Sequence, residues 1–338
     1  MGSVHSTRRA FCVAAIGSGA AALASPVLSQ TVTEKFSMGS AMPASHPAST
    51  FVADAAASIR MQTGGSLEIN FYSDSALGSE PNMYSQLRSG AIDFAVLSCS
   101  FLQSVVPVAG IPGVAFAFPD YATLWNAMNG DLGEQIKSAL AKVGLTAFQV
   151  VDNGFRHTTT AAKAINSVDD LAGLKVRVPP SPLLTSLYAT LGAGPTTIPL
   201  GELYTALQTR VVDGMENSLV NLEALRVFEV QKFCAKTGHS WDGLWLLART
   251  AGWKEISADK RMVIQSNFES HAVSQQKEFM RKDLEMEAVL QSKGMTFTTP
   301  DRSRFRAKLQ SAGYYRDWKA KFGADAWSVL ERYAGPLS

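Results

Sequence analysis

From residue 34 onward, the apolar positions repeat first every second residue and then every third or fourth residue, in regular succession. A two-residue period predicts a strand, and a period of 3.6 residues predicts a helix. The first predicted elements are a strand over 34–38, a helix over 48–61 that ends at Gly64-Gly65, a strand over 66–72, a helix over 81–88 that ends at Gly90, and a strand over 91–97. Strands that alternate with helices in this way predict βαβ units and a largely parallel sheet.

The second half of the chain repeats this scheme. Ser167 is a favourable N-cap residue and Gly173 a favourable C-cap residue, so they predict a short helix before a strand over 174–178. Ser181, which is followed by proline, predicts the start of another helix that ends at Gly192. We therefore expect two α/β units of similar build.

After Trp241 the alternation gives way to long helical stretches. The longest covers residues 257–293, which corresponds to about 50 Å of helix at 1.5 Å per residue. Because this length exceeds one small lobe, we expect the helix to pack along both units.

The N-terminal segment has the features of an export signal. Arg8 and Arg9 precede an Ala/Gly-rich apolar run over residues 12–28, which is typical of a twin-arginine signal peptide. A transmembrane helix is the alternative, but the run is short for a span of about 20 apolar residues and contains Pro26. We expect residues 1–30 to be removed on export to the periplasm.

The charge balance limits the classes of partner. The 31 basic residues of the chain include Arg8 and Arg9, so the chain without its predicted signal carries 29 basic and 29 acidic residues. A protein that binds nucleic acid or an anionic membrane generally needs a basic excess. We therefore expect neither as a partner.

Two cysteines, Cys99 and Cys234, would enter the oxidising periplasm together. Their separation in sequence leaves two alternatives open, a disulfide or two small buried thiols, and buried thiols are the commoner case.

Two arginines and an asparagine are the candidate ligand-binding residues. Arg156, Arg177 and Asn217 come at the ends of predicted strands, in the segments Asn-Gly-Phe-Arg, Gly-Leu-Lys-Val-Arg-Val-Pro and Val-Asp-Gly-Met-Glu-Asn. Open α/β sheets bind ligands beyond the carboxyl ends of their strands. Arginine stays charged at physiological pH and offers two parallel N–H donors to a planar anion, so two arginines at one cleft predict a small organic acid as the ligand.

These segments, together with Ala-Ile-Asn-Ser-Val-Asp-Asp-Leu-Ala-Gly and Leu-Tyr-Thr-Ala-Leu-Gln, resemble the solute-binding proteins of TRAP transporters, the tripartite ATP-independent periplasmic systems. The resemblance implies the two-lobed periplasmic binding protein fold, in which two Rossmann-like α/β domains are joined by hinge crossings and a long bracing helix. Each lobe is then discontinuous. We expect the first lobe to comprise residues 31–153 and about 243–282, and the second lobe residues 154–242 and about 283–338.

The resemblance also implies roles for individual residues. Arg177 matches the arginine that pairs with the ligand carboxylate, Arg156 matches a second family arginine, and Asn217 matches an asparagine that contacts the ligand. The structural alternative for Arg177 is a salt bridge to Asp213 or Glu216. For Asn217 the alternative is a turn conformation.

Departures from the sialic-acid members of the family bear on the ligand. Those members have an acidic and a basic residue where this chain has the segment from Ser98 to Phe101, which argues against an amine-bearing sugar acid. Leu200 and Trp241 suggest an apolar or aromatic ligand body, although a core position is the alternative for Trp241. His46 aligns with a family loop at the cleft mouth, where a single histidine is commonly an ordinary surface residue.

No metal ion or other cofactor is expected. The family branch that binds 2-oxoacids through a metal ion has tryptophan directly after the glutamate, whereas Asn217 follows Glu216 here. The histidines also lack the spacing of a metal-ligand cluster.

Two other functions stay open. Ser240 lies in Gly-His-Ser-Trp-Asp-Gly, which resembles the nucleophile elbow of an exported hydrolase but has one residue too many before the second glycine. A binding protein of this fold can also serve a sensor. The sequence best supports a non-enzymatic, monomeric protein that captures an organic acid and delivers it to the integral-membrane subunits of a TRAP transporter.

Overall fold

The computed structural model describes residues 33–337, so the predicted export signal lies outside the described residues. The strands are β1 (Glu34–Ser40), β2 (Leu67–Tyr72), β3 (Phe94–Ser98), β4 (Leu145–Thr160), β5 (Lys175–Val178), β6 (Gly194–Thr197), β7 (Gly214–Asn217), β8 (Phe233–Arg249) and β9 (Thr296–Thr298). The α-helices are α1 (Pro47–Gln62), α2 (Glu80–Ser89), α3 (Cys99–Leu102), α4 (Tyr121–Met128), α5 (Asp131–Lys142), α6 (Pro182–Leu191), α7 (Leu203–Gln208), α8 (Leu219–Ala224), α9 (Thr250–Glu255), α10 (Ala258–Ser292), α11 (Arg302–Ser311), α12 (Tyr314–Phe322) and α13 (Ala324–Ala334). Short 3₁₀ helices cover Pro107–Gly113, Val168–Leu171, Leu200–Glu202 and Val227–Glu229.

All nine strands of the described range belong to one sheet, in the order β2-β1-β3-β8-β4-β7-β5-β6, with β9 paired to β8. At one end of the sheet β1 pairs in parallel with β2 and β3, and at the other end β5 pairs in parallel with β6 and β7. These two parallel sets agree with the predicted alternation of strands and helices, because parallel neighbours need a crossover connection.

β4 and β8, with 16 and 17 residues, form an antiparallel ribbon in the middle of the sheet. The last part of β8 pairs with β3, and the last part of β4 pairs with β7, so the ribbon links the two parallel sets. Three register shifts interrupt it, one of them between Asp152 and Gly154. Such shifts bend a strand pair and increase its twist. The ribbon therefore provides the hinge crossings of the two-lobed fold.

α10 is the long helix that the sequence predicts. It has 35 residues and is about 50 Å long, and its flanking residues, Ser257 and Lys293, are the ends of the predicted helical stretch. It packs against α1 beside the first parallel set, against β4 in the middle, and against α8 beside the second set. This helix therefore braces both halves of the sheet.

The apolar side chains of the described range form three buried clusters. In one of them Phe94, Phe148 and Phe268 meet with ring centroids 5.2 to 6.3 Å apart. Another lies beneath the second parallel set and includes Leu203 and Met215. Leu200 packs at the edges of all three clusters. The Leu200 side chain thus lies where the three buried clusters meet.

The structure refines one element prediction and corrects another. The short helix predicted between Ser167 and Gly173 is a 3₁₀ helix, Val168–Leu171, with Ser167 as its N-cap and Ala172 as its C-cap, because few residues separate its ends and Ser167 and Asp170 cap each other. The strands also do not end at Trp241, since β8 continues to Arg249. Nearly every residue of β8 is buried, so the strand lacks the polar and apolar alternation that marks a half-exposed strand.

The lobe boundaries predicted at residues 153, 242 and 282 fall inside β4, β8 and α10. Thr33–Ser338 forms one compact unit, so these boundaries stay a prediction. Cys99 and Cys234 are both buried free thiols, which is the second of the two alternatives. Across the described residues, every helix is too short or too polar to span a membrane.

Candidate functional site

A cleft lies between the two parallel sets, where the carboxyl ends of β1 and β3 face those of β5 and β7. Open α/β sheets bind their ligands at such a position. The cleft encloses about 490 Å³, including its open mouth. Five of the predicted site residues line it, namely Arg156, Arg177, Asn217, Ser98 and Leu200.

Arg177 is a buried cation at this cleft, with 1% of its surface exposed. Its Nε donates to the carbonyl oxygen of Ile198 at 2.8 Å, which leaves its two Nη groups for the cleft. In the described part of the chain neither Asp213 nor Glu216 forms a salt bridge with it, because Asp213 accepts from the Lys175 N–H and Glu216 pairs elsewhere. Burial lowers the pKa of Arg177 to about 10, so the side chain stays charged at neutral pH.

Arg156 forms a buried ion pair with Glu216. Its Nε and Nη2 donate to the two carboxylate oxygens of Glu216 at 2.5 and 2.8 Å. Its Nη1 has a long contact of 3.4 Å with Oδ2 of Asp242. Burial acts to raise the pKa of Glu216, but the charge and hydrogen bonds of Arg156 outweigh that effect and hold it at about 2. The salt bridge considered for Arg177 is therefore made by Arg156, and the Arg156 Nη1 is held only by the longer contact with Asp242.

Asn217 is the last residue of β7 and is buried. It pairs with His157 of β4, so its backbone belongs to the sheet and does not form the turn considered as an alternative. Its Oδ1 accepts from the N–H of Ser218 at 3.0 Å. This hydrogen bond orients the amide so that Nδ2 can donate into the cleft.

The opposite wall carries Glu80, which the sequence analysis missed. Its two carboxylate oxygens accept from the N–H of Ser98 at 2.6 Å and from the Ser98 hydroxyl at 3.1 Å. Burial raises the pKa of Glu80 to about 7, although the Ser98 hydrogen bonds and the charge of Arg177 act in the opposite direction. Glu80 is the first residue of α2, where an acidic residue is expected for helix stability alone, so its position carries no separate signal for a site.

Asn153 and Asp242 also line the cleft and were also missed. Asn153 Nδ2 donates to Asp242 Oδ2 at 3.1 Å, and the N–H of Ser100 donates to Asp242 Oδ1 at 3.1 Å. Burial raises the pKa of Asp242. Both residues lie on the β4–β8 ribbon, so the ribbon supplies part of the cleft floor.

Three predicted site residues do not line this cleft. The Trp241 ring packs 5.7 Å from the ring of Trp125, and the Phe101 ring packs 5.9 Å from that of Tyr84. Trp241 points away because neighbouring strand residues face opposite sides of a sheet, and its neighbour faces the cleft. The buried His46 caps α1, with Nδ1 accepting from a helix N–H at 3.1 Å, and burial lowers its pKa to about 3.

Ser240 is not arranged as a nucleophile. Its hydroxyl donates to the carbonyl oxygen of Gly113 at 2.7 Å, and the adjacent His239 contacts Glu216. A catalytic serine needs a base within hydrogen-bond reach. Among residues 33–337, no group of His, Cys, Asp and Glu side chains could hold a metal ion.

The chain is similar to a known family and to several known proteins. The family model described as bacterial extracellular solute-binding protein, family 7 (DctP), matches residues 38–319. The chain is 30% identical over 262 residues to the uncharacterized protein y4mM of Sinorhizobium fredii, a match that covers 76% of this chain and 48% of the relative.

A second relative is the 2,3-diketo-L-gulonate-binding periplasmic protein YiaO of Escherichia coli, which is 30% identical over 209 residues, or 62% of this chain and 64% of the relative. The chain thus spans between about half and two thirds of the length of these two relatives. Among solved structures, a TRAP periplasmic solute-binding protein from Bradyrhizobium sp. with bound α/β-D-galacturonate is 27% identical, with a TM-score of 0.83 over 90% of this chain and 100% of that chain.

Proposed function

The chain belongs to the DctP family of bacterial extracellular solute-binding proteins, and on that premise we propose that it captures one small organic acid in the periplasm and delivers it to a TRAP membrane transporter. The family is one of transport receptors and not of enzymes. The proposal therefore requires selective binding and release, and no chemical step.

The observation that carries the proposal is the buried cation of Arg177. A buried charge without a counter-ion is costly, so such a charge is normally paired. Glu216 and Glu80 lie near enough to raise the pKa of Arg177, but within the described chain no acidic side chain forms a salt bridge with it, and its two Nη groups are left for the cleft. A ligand carboxylate would supply a directly bonded counter-ion and match the planar guanidinium with two parallel hydrogen bonds.

Two further donors support the placement of a carboxylate at this point. Nη1 of Arg156 and Nδ2 of Asn217 belong to residues that line the same cleft. Because Glu216 holds the rest of the Arg156 guanidinium, we assign Arg156 the supporting role and Arg177 the principal one. This order of importance follows from the number of N–H groups that each arginine still has to offer.

The acid itself is inferred only as a class. The Escherichia coli relative binds 2,3-diketo-L-gulonate, and the Bradyrhizobium protein holds galacturonate. Both ligands are carboxylic acids. We propose that the carboxylate is the feature that the ligand of this chain shares with them, because Arg177 recognises that group and not the sugar.

Capture by closure is supported by contacts between the predicted lobes. Oε1 of Gln103, in the predicted first lobe, accepts from the hydroxyl of Ser181 at 3.2 Å and from the N–H of Leu183 at 3.1 Å, at the start of α6 in the predicted second lobe. A ligand stabilises a closed state by binding it more tightly than the open state. We propose that the lobes close by bending of the β4–β8 ribbon and that the protein acts as a monomer.

A thermal-shift screen tests the proposal. The protein without its predicted signal is heated with sugar acids, dicarboxylates, hydroxy acids and aromatic acids, and in parallel with the neutral amide of each acid. An acid at about 100 times its Kd adds about 2.7 kcal/mol of stability, which gives a measurable rise in Tm. We expect one class of acid to raise the Tm and its amides to leave it unchanged. An equal rise with the amides, or no rise with any acid, would contradict the proposal.

A further inference from the structure

A second cavity lies beside the candidate site. Ala41, Ser75 and Leu200 line both cavities, so the two spaces adjoin along a shared wall. The second cavity encloses about 500 Å³, including its opening. Its interior is roomier than that of the cleft that contains Arg177.

The floor of the second cavity is apolar. Leu203 and Val227 are buried members of the apolar cluster beneath the second parallel set, and Leu225 packs at the edge of that cluster. Leu200 forms the boundary with the first cavity. A hydrocarbon group placed here would lose contact with water without leaving a polar group unsatisfied.

Two of the three polar side chains at this cavity already have partners. The Tyr204 hydroxyl donates to Glu229 at 2.7 Å, and Oδ2 of Asp74 accepts from the N–H of Ala44 at 3.1 Å. A polyhydroxylated group placed in this cavity would have to compete with these hydrogen bonds. The cavity consequently favours an apolar occupant.

The loop between the cavities is held in place. Asp74 and Ser75 both have a φ of 56°, which non-glycine residues rarely adopt. Their N–H groups donate to the carbonyl oxygens of Met42 at 2.8 Å and Ser40 at 3.1 Å, at the carboxyl end of β1. Backbone conformations of this kind persist where the surrounding structure enforces them, often at ligand sites.

We propose that the two cavities form one elongated ligand site, in which Arg177 holds the carboxylate and an apolar body extends past Leu200 into the second cavity. This inference rests on the proposed function, because it takes the carboxylate at Arg177 as its fixed point. The ligand class is then an organic acid with a hydrocarbon or aryl tail. A compact acid would leave the second cavity unfilled.

Straight-chain acids from butanoate to decanoate test the length of the site by calorimetric titration. Each methylene that enters an apolar cavity should tighten binding up to about fourfold. We expect the Kd to fall along the series until the cavity is full. A Kd that does not change with chain length would overturn the proposal.

Gly201→Leu tests the position of the tail. A Cβ at Gly201 would have only the Ser75 side chain within 4 Å, at 3.6 Å from Oγ and 3.7 Å from Cβ, and Gly201 lines the second cavity, so a leucine here should occupy space that the tail would need. We expect the Kd for octanoate to rise about tenfold or more and that for butanoate to change by less than about twofold. Gly194→Leu is the matched control, because its Cβ would meet only the Leu174 carbonyl oxygen at 3.7 Å and Gly194 lines neither cavity.

The outcomes separate this inference from the proposed function. If Gly201→Leu weakens butanoate and octanoate equally, or if Gly194→Leu has the same effect, the tail does not lie in the second cavity. If galacturonate binds and loses affinity in Arg177→Lys while no straight-chain acid binds, the elongated site is wrong and the proposed function stands. If no carboxylate of any class binds, both are wrong.

Discussion

At the residue scale, Glu80 gives the cleft a charge that varies near neutral pH. Its carboxyl faces the same space as Arg177 and accepts both hydrogen bonds that Ser98 offers. Burial nevertheless raises its pKa from 4.5 to about 7. Below that pH Glu80 is a neutral acid that can donate a hydrogen bond, and above it the carboxylate repels an anionic ligand.

The raised pKa of Glu80 predicts a pH dependence of stability. Between pH 4.5 and 7 the folded state keeps a proton that the unfolded state releases, so the free energy of unfolding falls as the pH rises through this window. Urea unfolding at pH 4.5, 6 and 8 should show a steeper loss in the wild type than in Glu80→Gln. Glu202→Gln, at an exposed position, should behave like the wild type. Parallel pH profiles for the wild type and Glu80→Gln would contradict the prediction.

Sequence reasoning brought Arg156, Arg177 and Asn217 to one cleft because each was placed at the end of a predicted strand, and open α/β sheets bind ligands beyond the carboxyl ends of their strands. It could not tell which of the two arginines would pair with Glu216, since the salt bridge between Arg156 and Glu216 depends on the pairing of β4 with β7. Sequence reasoning also selected Trp241 and not its neighbour Asp242. Because β8 is buried on both faces, its sequence of polar and apolar residues does not tell which side chains point to which face of the sheet.

At the element scale, the β4–β8 ribbon combines a hinge with part of the binding site. Gly154 occupies one of its register shifts with a φ of 91°. A Cβ at this position would lie 2.6 Å from Cβ of Ser218 and 2.7 Å from Cε1 of Phe279. The ribbon can therefore approach both α8 and α10 only because this residue has no side chain.

A comparison of Gly154→Ala with Gly144→Ala should separate two contributions to the loss of stability: the steric overlap of the added Cβ, and the strain of a positive φ in a residue other than glycine. Gly144 also has a positive φ, 80°, but nothing lies within 4 Å of its Cβ position, so Gly144→Ala carries the backbone cost alone. We expect Gly144→Ala to lower the free energy of unfolding by about 1 kcal/mol and Gly154→Ala to lower it by at least about 2 kcal/mol. Denaturant unfolding of both variants provides the comparison. Equal losses would show that the close approach at Gly154 is not a constraint.

The elements that the sequence predicts best have chemical markers at their ends. Ser181 and Gly192 cap α6 at the predicted positions, and α10 runs between Ser257 and Lys293, the ends of the predicted helical stretch. β4 and β8 lack such markers, because their length is set by pairing with distant strands and not by local residue types. Local chemistry therefore predicted several of the helices and short parallel strands, and it did not predict the extent of the ribbon.

At the scale of the whole molecule, one sheet, the bent ribbon and the bracing helix place two groups of strand ends on either side of one cleft. The alternation of strands and helices, with the resemblance, predicted this two-lobed fold. The exact lobe boundaries were not predictable to the residue, since they fall within elements that cross from one half to the other. A continuous strand or helix has no compositional break at the point where it bends.

The central claim is that this molecule binds an organic acid through the guanidinium of Arg177. Calorimetric titration of the best acid from the screen into the wild type and Arg177→Lys tests it most directly, with Arg60→Lys, on the exposed side of α1, as the control. Lysine keeps the charge but cannot form the two parallel hydrogen bonds, so the Kd should rise about tenfold to a hundredfold in Arg177→Lys. It should stay unchanged in Arg60→Lys. A Kd for Arg177→Lys equal to that of the wild type would show that the carboxylate is held elsewhere.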